Sequence, residues 1–172
     1  MGGWDKYISS RRGLLDKLNG LNAWCKVTVL SVNSCGLEEG GGRALAEGLR
    51  LNTTITTLDL GNYNLEEGGG RLLAQTLRLN TTLASLNNRL GRRSELGEGG
   101  GRLLAEALSL NTTVTSLNLG SNGLGEGGRR TLAEALRLNA ALTSLELRGN
   151  GLGEGEGRAL AETLRLKTTV LT

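Results

Sequence analysis

Apolar residues recur in a fixed order along most of this chain. Between Val114 and Asn139 they stand first at Val114, Leu117, Leu119 and Leu124, and then at Leu132, Ala135 and Leu136. The spacing at the fourth and sixth positions predicts a short strand, because successive strand side chains point to opposite faces. The later group is spaced by three and four, which is the buried stripe of a short helix. Asn122 holds the ninth position between them, and Asn139 closes the helical stretch. The order repeats from Leu142, through Leu145, Leu147 and Leu152, with Asn150 at position nine. Equivalent strands begin at Val27, Ile55, Leu83, Val114 and Leu142, with a sixth start at Val170, in steps of 28, 28, 31, 28 and 28 residues.

One strand–loop–helix unit of this length cannot bury both its strand leucines and its helix stripe. Stacked copies close a continuous core in which each unit touches mainly its neighbours. The strands then form a parallel sheet. A helix needs more lateral room than the roughly 4.8 Å between strands, so the stack must curve. The expected fold class is α/β, a right-handed solenoid in a horseshoe arc with the sheet concave and the helices convex.

Two strings carry a family resemblance. The pattern LxxLxLxxNxL, followed by LGEGGGRLLAEALSLNTT, resembles the ribonuclease-inhibitor-like class of leucine-rich repeats. It is similar to the repeats of NOD-like receptors and of the Ran GTPase-activating protein. The likeness spans residues 27–172. It implies Asn or Cys at position nine, a place filled by Cys35, Asn122 and Asn150, whereas Tyr63 departs from it between Asn62 and Asn64.

Composition narrows the functional classes. The chain has no His, no Phe and no Pro, and its 28 Gly recur beside the regular leucines, where they read as turn residues. Without His, Ser–His and Cys–His dyads are excluded. Glu38 and Glu39, Glu66 and Glu67, and Glu154 and Glu156 pair in sequence, but each pair precedes a helix whose N-terminal dipole favours negative charge. Loops such as Gly97–Arg102 lack the Gly-Lys-Ser/Thr of a phosphate cradle and carry an acid instead. No catalytic residue, cofactor or metal is assigned. The net charge of +3 is concentrated in residues 1–26 and forms no basic stripe, so nucleic acid is not an expected partner.

Cys25 and Cys35 are too few for a disulfide framework and too far apart along a strand to bridge, and are read as thiols. No apolar run approaches the ~18 residues of a membrane span. A cytoplasmic location and no membrane association are the expectation. Asn52, Asn80 and Asn111 each begin an Asn-Thr-Thr sequon, yet Asn139 keeps the Asn without the Thr. Asn therefore reads as a helix end and the sequons as incidental.

Strand positions three, five and seven face the concave side. Its larger polar residues are Asp59, Asn87, Asn118 and Glu146 at position five and Arg89 and Arg148 at position seven. The third unit carries three extra residues, with Arg89, Arg92 and Arg93 set to project at the edge of that face. Asn88 falls where an inward leucine belongs, and Leu90 is expected to fill that space after a bulge. These eight residues, Asp59, Asn87, Arg89, Arg92, Arg93, Asn118, Glu146 and Arg148, form the candidate partner-binding set.

The ends differ from the repeats. Residues 1–26 hold Trp4, Tyr7 and Trp24, with Leu14, Leu15, Leu18 and Leu21 at helical spacing, and are expected to form a helical cap. At the other end a sixth strand begins at Val170. The expectation there is a longer array, or self-association through the sheet edge. The function expected is a non-catalytic protein-interaction scaffold. The alternatives are a structural or designed consensus solenoid without a dedicated partner, and a regulator of a small GTPase.

Overall fold

The computed structural model describes residues 27–32, 39–61, 66–89, 96–155, 157–158 and 160–161. The cap expected over residues 1–26, both cysteines, Tyr63, Leu90, Arg92, Arg93 and the start at Val170 lie outside the described residues. Strands and helices alternate: β1 (Val29–Ser31), α1 (Glu39–Leu51), β2 (Thr57–Asp59), α2 (Glu66–Leu79), β3 (Ser85–Asn87), α3 (Gly97–Leu110), β4 (Ser116–Asn118), α4 (Gly125–Leu138) and β5 (Ser144–Glu146). The five strands make one sheet in chain order, each pair parallel. A parallel pair needs a long crossover, and each helix supplies one.

Register follows the repeat. Val29 pairs with Thr57, Thr57 with Ser85, Ser85 with Ser116, and Ser116 with Ser144. The offset between β3 and β4 is 31 residues where the others are 28. The extra three residues are thus absorbed after β3 without disturbing the ladder. Sheet bonds continue one residue past each strand, as in Leu60 N–H to Asn87 O and Leu119 N–H to Glu146 O, at 2.8 and 2.9 Å.

The core lies between the sheet and the helices. Leu58, Leu60, Leu86, Leu117 and Leu119 come from the strand side, and Leu49, Leu77, Leu104, Leu108, Leu132 and Leu136 from the helices, all buried. Each fully buried leucine contributes about 1.5–3 kcal/mol relative to exposure. Because the layers are nearly identical, the core can be filled without large aromatic residues.

At position six the third unit departs from its expected packing. Leu90 was expected to replace the missing leucine, but Asn88 itself occupies the layer. It is 0% exposed, and its N–H donates to Asn118 O at 2.9 Å in the ordinary sheet register. Its Nδ2 donates to Asn122 Oδ1 at 3.1 Å, and Asn122 Nδ2 returns a bond to Asn88 O at 2.7 Å. The Nδ2 end of the side-chain amide thus finds a polar partner inside the core.

Asparagine also ties each helix end to the next unit. Asn80 Nδ2 donates to Leu49 O, Asn111 Nδ2 to Leu77 O, and Asn139 Nδ2 to Leu108 O, at 2.6, 2.7 and 2.7 Å. In each case the acceptor is a carbonyl in the last turn of the preceding unit's helix, where carbonyls lack a full set of helical partners; Leu49 O and Leu108 O also take longer bonds from Asn52 N–H and Asn111 N–H, at 3.3 and 3.2 Å. The Oδ1 of the same residue accepts two amides of the turn that leads into its own strand, as Asn80 does from Thr82 and Leu83. One side chain therefore closes a helix, shapes a turn and locks two units together.

The glycines do more than form turns. Gly97, Gly123, Gly125, Gly149 and Gly151 have positive φ, as turn residues do. Gly70 and Gly100, however, lie inside α2 and α3, where a Cβ on Gly70 would overlap the Cα of Gly100. The reading of glycine as a turn residue is corrected there: neighbouring helices approach so closely that no side chain fits between them. That close approach brings the helix layer nearer to the strand spacing and limits the curvature.

Candidate protein-binding face

Six of the eight candidate residues lie together on the concave side of the sheet: Asp59, Asn87, Asn118 and Glu146 at position five, Arg89 and Arg148 at position seven. The registers Asp59–Asn87, Asn87–Asn118 and Asn118–Glu146 align the first four in one row across β2 to β5. Asp59, Asn87 and Asn118 are half-buried, and Glu146 on the edge strand β5 is exposed.

Every member of that row has a local structural task. Asp59 Oδ1 accepts from Gly61 N–H, Asn87 Oδ1 from Arg89 N–H, Asn118 Oδ1 from Gly120 N–H, and Glu146 Oε1 from Arg148 N–H, at 2.9, 3.3, 2.9 and 3.1 Å. Short polar side chains make this turn bond readily as the chain leaves a strand. Asn87 Nδ2 also reaches across to Asp59 Oδ1 at 2.9 Å. The row is therefore an ordered polar ribbon, its side chains oriented by these bonds.

Position seven supplies the charge. Arg89 and Arg148 are exposed, and between them, one unit from each, stands the buried Gly120. A Cβ on Gly120 would lie 3.5 Å from Arg89 Cγ and 3.4 Å from Arg148 O. The aliphatic stem of Arg89 thus passes over the glycine. Among the described residues neither guanidinium has a hydrogen-bond or ion-pair partner.

Behind this face the loops are held by position nine. Asn150 Nδ2 donates to Leu119 O and Leu147 O, while its Oδ1 accepts from Asn122 N–H at 2.9 Å and Leu124 N–H at 3.5 Å. Ser121, in the turn just after Gly120, has φ 59° and donates its N–H to Arg148 O at 2.7 Å. The turn carrying Gly120 is consequently fixed to the next unit on both sides.

Two further surfaces were not anticipated from the sequence. Leu51, Leu79, Leu110 and Leu138, each the last residue of its helix, are 55, 48, 69 and 75% exposed. The signal was available, because each falls outside the three-and-four spacing of the buried stripe. A mainly apolar cavity of about 590 Å³ also lies against β5, lined by Leu136, Leu142, Leu145, Leu147, Leu152 and Leu160 among others. No group of three or more His, Cys, Asp or Glu able to hold a metal occurs among the described residues, and no helix there is long and apolar enough to cross a membrane.

A repeating register, a parallel sheet in chain order and asparagine ladders at both ends of the unit define a leucine-rich-repeat fold. The family model described as Leucine Rich repeat matches residues 110–133. Among solved structures, the chain is similar to leiomodin-1 actin-binding site 2, with a TM-score of 0.77, 20% identity, and coverage of 92% of this chain and 89% of that one. It is also similar to the tropomodulin C-terminal domain from Caenorhabditis elegans, with a TM-score of 0.74, 13% identity, and coverage of 94% and 95%. No curated protein matches the chain by sequence. At these identities the likeness is one of fold.

Proposed function

We propose that the chain is a non-catalytic protein-interaction scaffold of the ribonuclease-inhibitor-like type that works in the cytoplasm and engages its partner through the concave face. The observation that carries this reading is the polar row from Asp59 to Glu146, ordered by its own turn bonds and bordered by two exposed arginines. Ordered donors and acceptors lose little freedom on binding, which favours association. The nominated residues offer hydrogen bonds and charge, with no nucleophile–base pair among them. Arg92 and Arg93 belong to the same proposal, as an extension of the basic edge.

The test is proximity cross-linking in cells with the full chain and with a variant carrying Asp59→Ala, Asn118→Ala and Arg148→Ser. Partners captured by the wild type and lost by the variant support the scaffold. Identical partner sets for the two chains, or none for either, would overturn the concave-face reading and favour a structural or consensus solenoid.

A second reading is actin binding. It is favoured by the similarity to leiomodin-1 actin-binding site 2 over 92% of this chain. Co-sedimentation with filamentous actin and fluorescence titration with monomeric actin test it directly. Saturable binding to either form supports the reading, and its absence with both sinks it.

A further inference from the structure

We propose that the outer edge of β5 and the apolar cavity beside it receive an extended segment of a partner protein, which adds to the sheet as a parallel strand. The segment carries apolar residues at its first, fourth and sixth positions. The site lies at the end of the solenoid and goes beyond the concave-face reading.

Every internal boundary shows what such an edge takes. Amides at positions two and three of one strand donate to the position-two carbonyl of the strand before it. Thr56 and Thr57 N–H reach Thr28 O, Ala84 and Ser85 N–H reach Thr56 O, and Thr115 and Ser116 N–H reach Ala84 O. Thr143 and Ser144 N–H reach Thr115 O in the same way, at 2.9 and 3.0 Å. In the other direction, the position-six amide donates to the position-five carbonyl of the strand after it. Val32 N–H reaches Asp59 O, Leu60 N–H reaches Asn87 O, Asn88 N–H reaches Asn118 O and Leu119 N–H reaches Glu146 O. On β5 the same two groups are Thr143 O and Leu147 N–H, and among the described residues neither has a partner. An edge of this kind is a template for another strand.

The side chains obey the same rule. Leu58, Leu86, Leu117 and Leu145 stand in register at position four. The first three are each followed by another unit and are at most 1% exposed, whereas Leu145 is half-buried. At position eleven, Leu124 is 1% exposed and its counterpart Leu152 is 41% exposed. The space beside them is the cavity of about 590 Å³ against Leu136, Leu142, Leu145, Leu147, Leu152 and Leu160. In the internal register, positions one, four and six of an incoming strand enter it beside Leu142, Leu145 and Leu147.

Residue chemistry favours a strand from another protein. Asn52, Asn80, Asn111 and Asn139 each accept, through Oδ1, two amides of the turn into the following strand. The sequence has Lys167 at the place 28 residues after Asn139. A lysine side chain donates and cannot accept, so it does not replace the asparagine in that task. A strand that arrives from outside needs no such turn. A lipid chain would fill the cavity but leave Thr143 O and Leu147 N–H without partners, whereas a peptide backbone satisfies both.

The experiment uses the full chain and a fluorescein-labelled twelve-residue peptide copying residues 111–122, read by anisotropy. Saturable binding is expected, and it should persist as sodium chloride rises to about 300 mM, where surface charges are screened. Replacing the peptide's two leucines by serine should weaken binding at least about tenfold through lost apolar burial. N-methylation at the copies of Thr115 and Ser116 should weaken it by about tenfold through lost edge bonds. N-methylation at the copy of Leu119, whose amide points to the far side, should change little. In the chain, L152K should weaken binding at least about tenfold by setting a charge at the cavity. L110K, at the exposed end of α3, should bind as the wild type does, and circular dichroism checks that both variants fold. Should L152K not fold, the methylated peptides still test the edge. The site is overturned if no saturable binding occurs, if the edge-methylated peptide binds as well as the parent, or if palmitate binds saturably and the peptide does not. A concentration-dependent dimer of the chain alone, abolished by L152K in sedimentation velocity, would give the edge to a second copy and overturn it too. Should the peptide fail while cross-linked partners still depend on Asp59 and Asn118, this site is lost and the concave face stands.

Discussion

Asn88 and Asn122 face one another across the boundary between the third and fourth units, with Asn88 Nδ2 3.1 Å from Asn122 Oδ1 and both residues 0% exposed. One unit later, Asn150 Oδ1 is satisfied by the loop amides of Asn122 and Leu124. Among the described residues no loop amide reaches Asn122 Oδ1, and the Asn88 side chain supplies the donor instead. The polar residue in the leucine layer and the position-nine asparagine of the next unit are therefore two halves of one pairing. It is imperfect, because Asn88 Oδ1 has no partner of its own.

A double-mutant cycle tests this coupling. Asn88→Leu restores the apolar layer but strips Asn122 Oδ1 of its donor. Asn122→Cys, which copies position nine of the first unit, removes that acceptor. The double variant should be about 1 kcal/mol more stable than the summed single effects predict, as expected for residues in direct contact. Urea unfolding of the four proteins measures it, and strict additivity would mean that the two residues act separately. Asn88→Asp should be the most damaging change, since it places an acceptor against an acceptor in a buried site.

The helix-end ladder should carry more stability than its surface position suggests. Asn111 Nδ2 bonds Leu77 O, and its Oδ1 takes Thr113 N–H and Val114 N–H at 3.1 and 2.8 Å. Asn111→Ala leaves those groups without partners, at about 1–3 kcal/mol for each buried one. A loss of about 3 kcal/mol or more in chemical unfolding is expected, and a loss below about 1 kcal/mol would show that water replaces the bonds freely.

The same burial bears on modification. Asn52, Asn80 and Asn111 carry sequons but are 2, 3 and 7% exposed, with their Oδ1 atoms engaged by backbone amides. Routed through a secretory pathway, the folded chain should remain without glycans at all three. Intact-mass measurement decides the matter, and stoichiometric addition at any of them would mean that modification outruns folding.

Two glycine substitutions should move stability in opposite directions. Gly70→Ala puts a methyl group into the Cα of Gly100 and forces α2 and α3 apart, which should cost about 1–3 kcal/mol through overpacking. Gly155→Ala meets nothing within 4 Å at an exposed helical position and should stabilise by up to about 1 kcal/mol. Equal effects at the two positions would remove close helix approach as the reason for the glycine.

Much of the candidate face was legible because strand alternation leaves little choice. Once Leu58, Leu86, Leu117 and Leu145 are directed inward, Asp59, Asn87, Asn118 and Glu146 must face the other way, and the register then aligns them. What those residues do there was not legible. That each accepts the amide two residues on depends on the angle at which the chain leaves the strand. The passage of the Arg89 stem over Gly120 likewise depends on the stacking of two units, although 31 positions separate the two residues in sequence.

By itself the sequence determined the solenoid. A 28-residue recurrence of strand and helix periods can bury its leucines only by stacking, and stacking dictates a parallel sheet in chain order. Tertiary structure decided how each layer closes: that Asn88 enters the core, that Asn80, Asn111 and Asn139 cap the preceding unit's helices, and that Gly70 and Gly100 let two helices touch. Periodicity reports which residues avoid water. Which polar atom or bare backbone meets which depends on distances between units, and those exist only once the units have stacked.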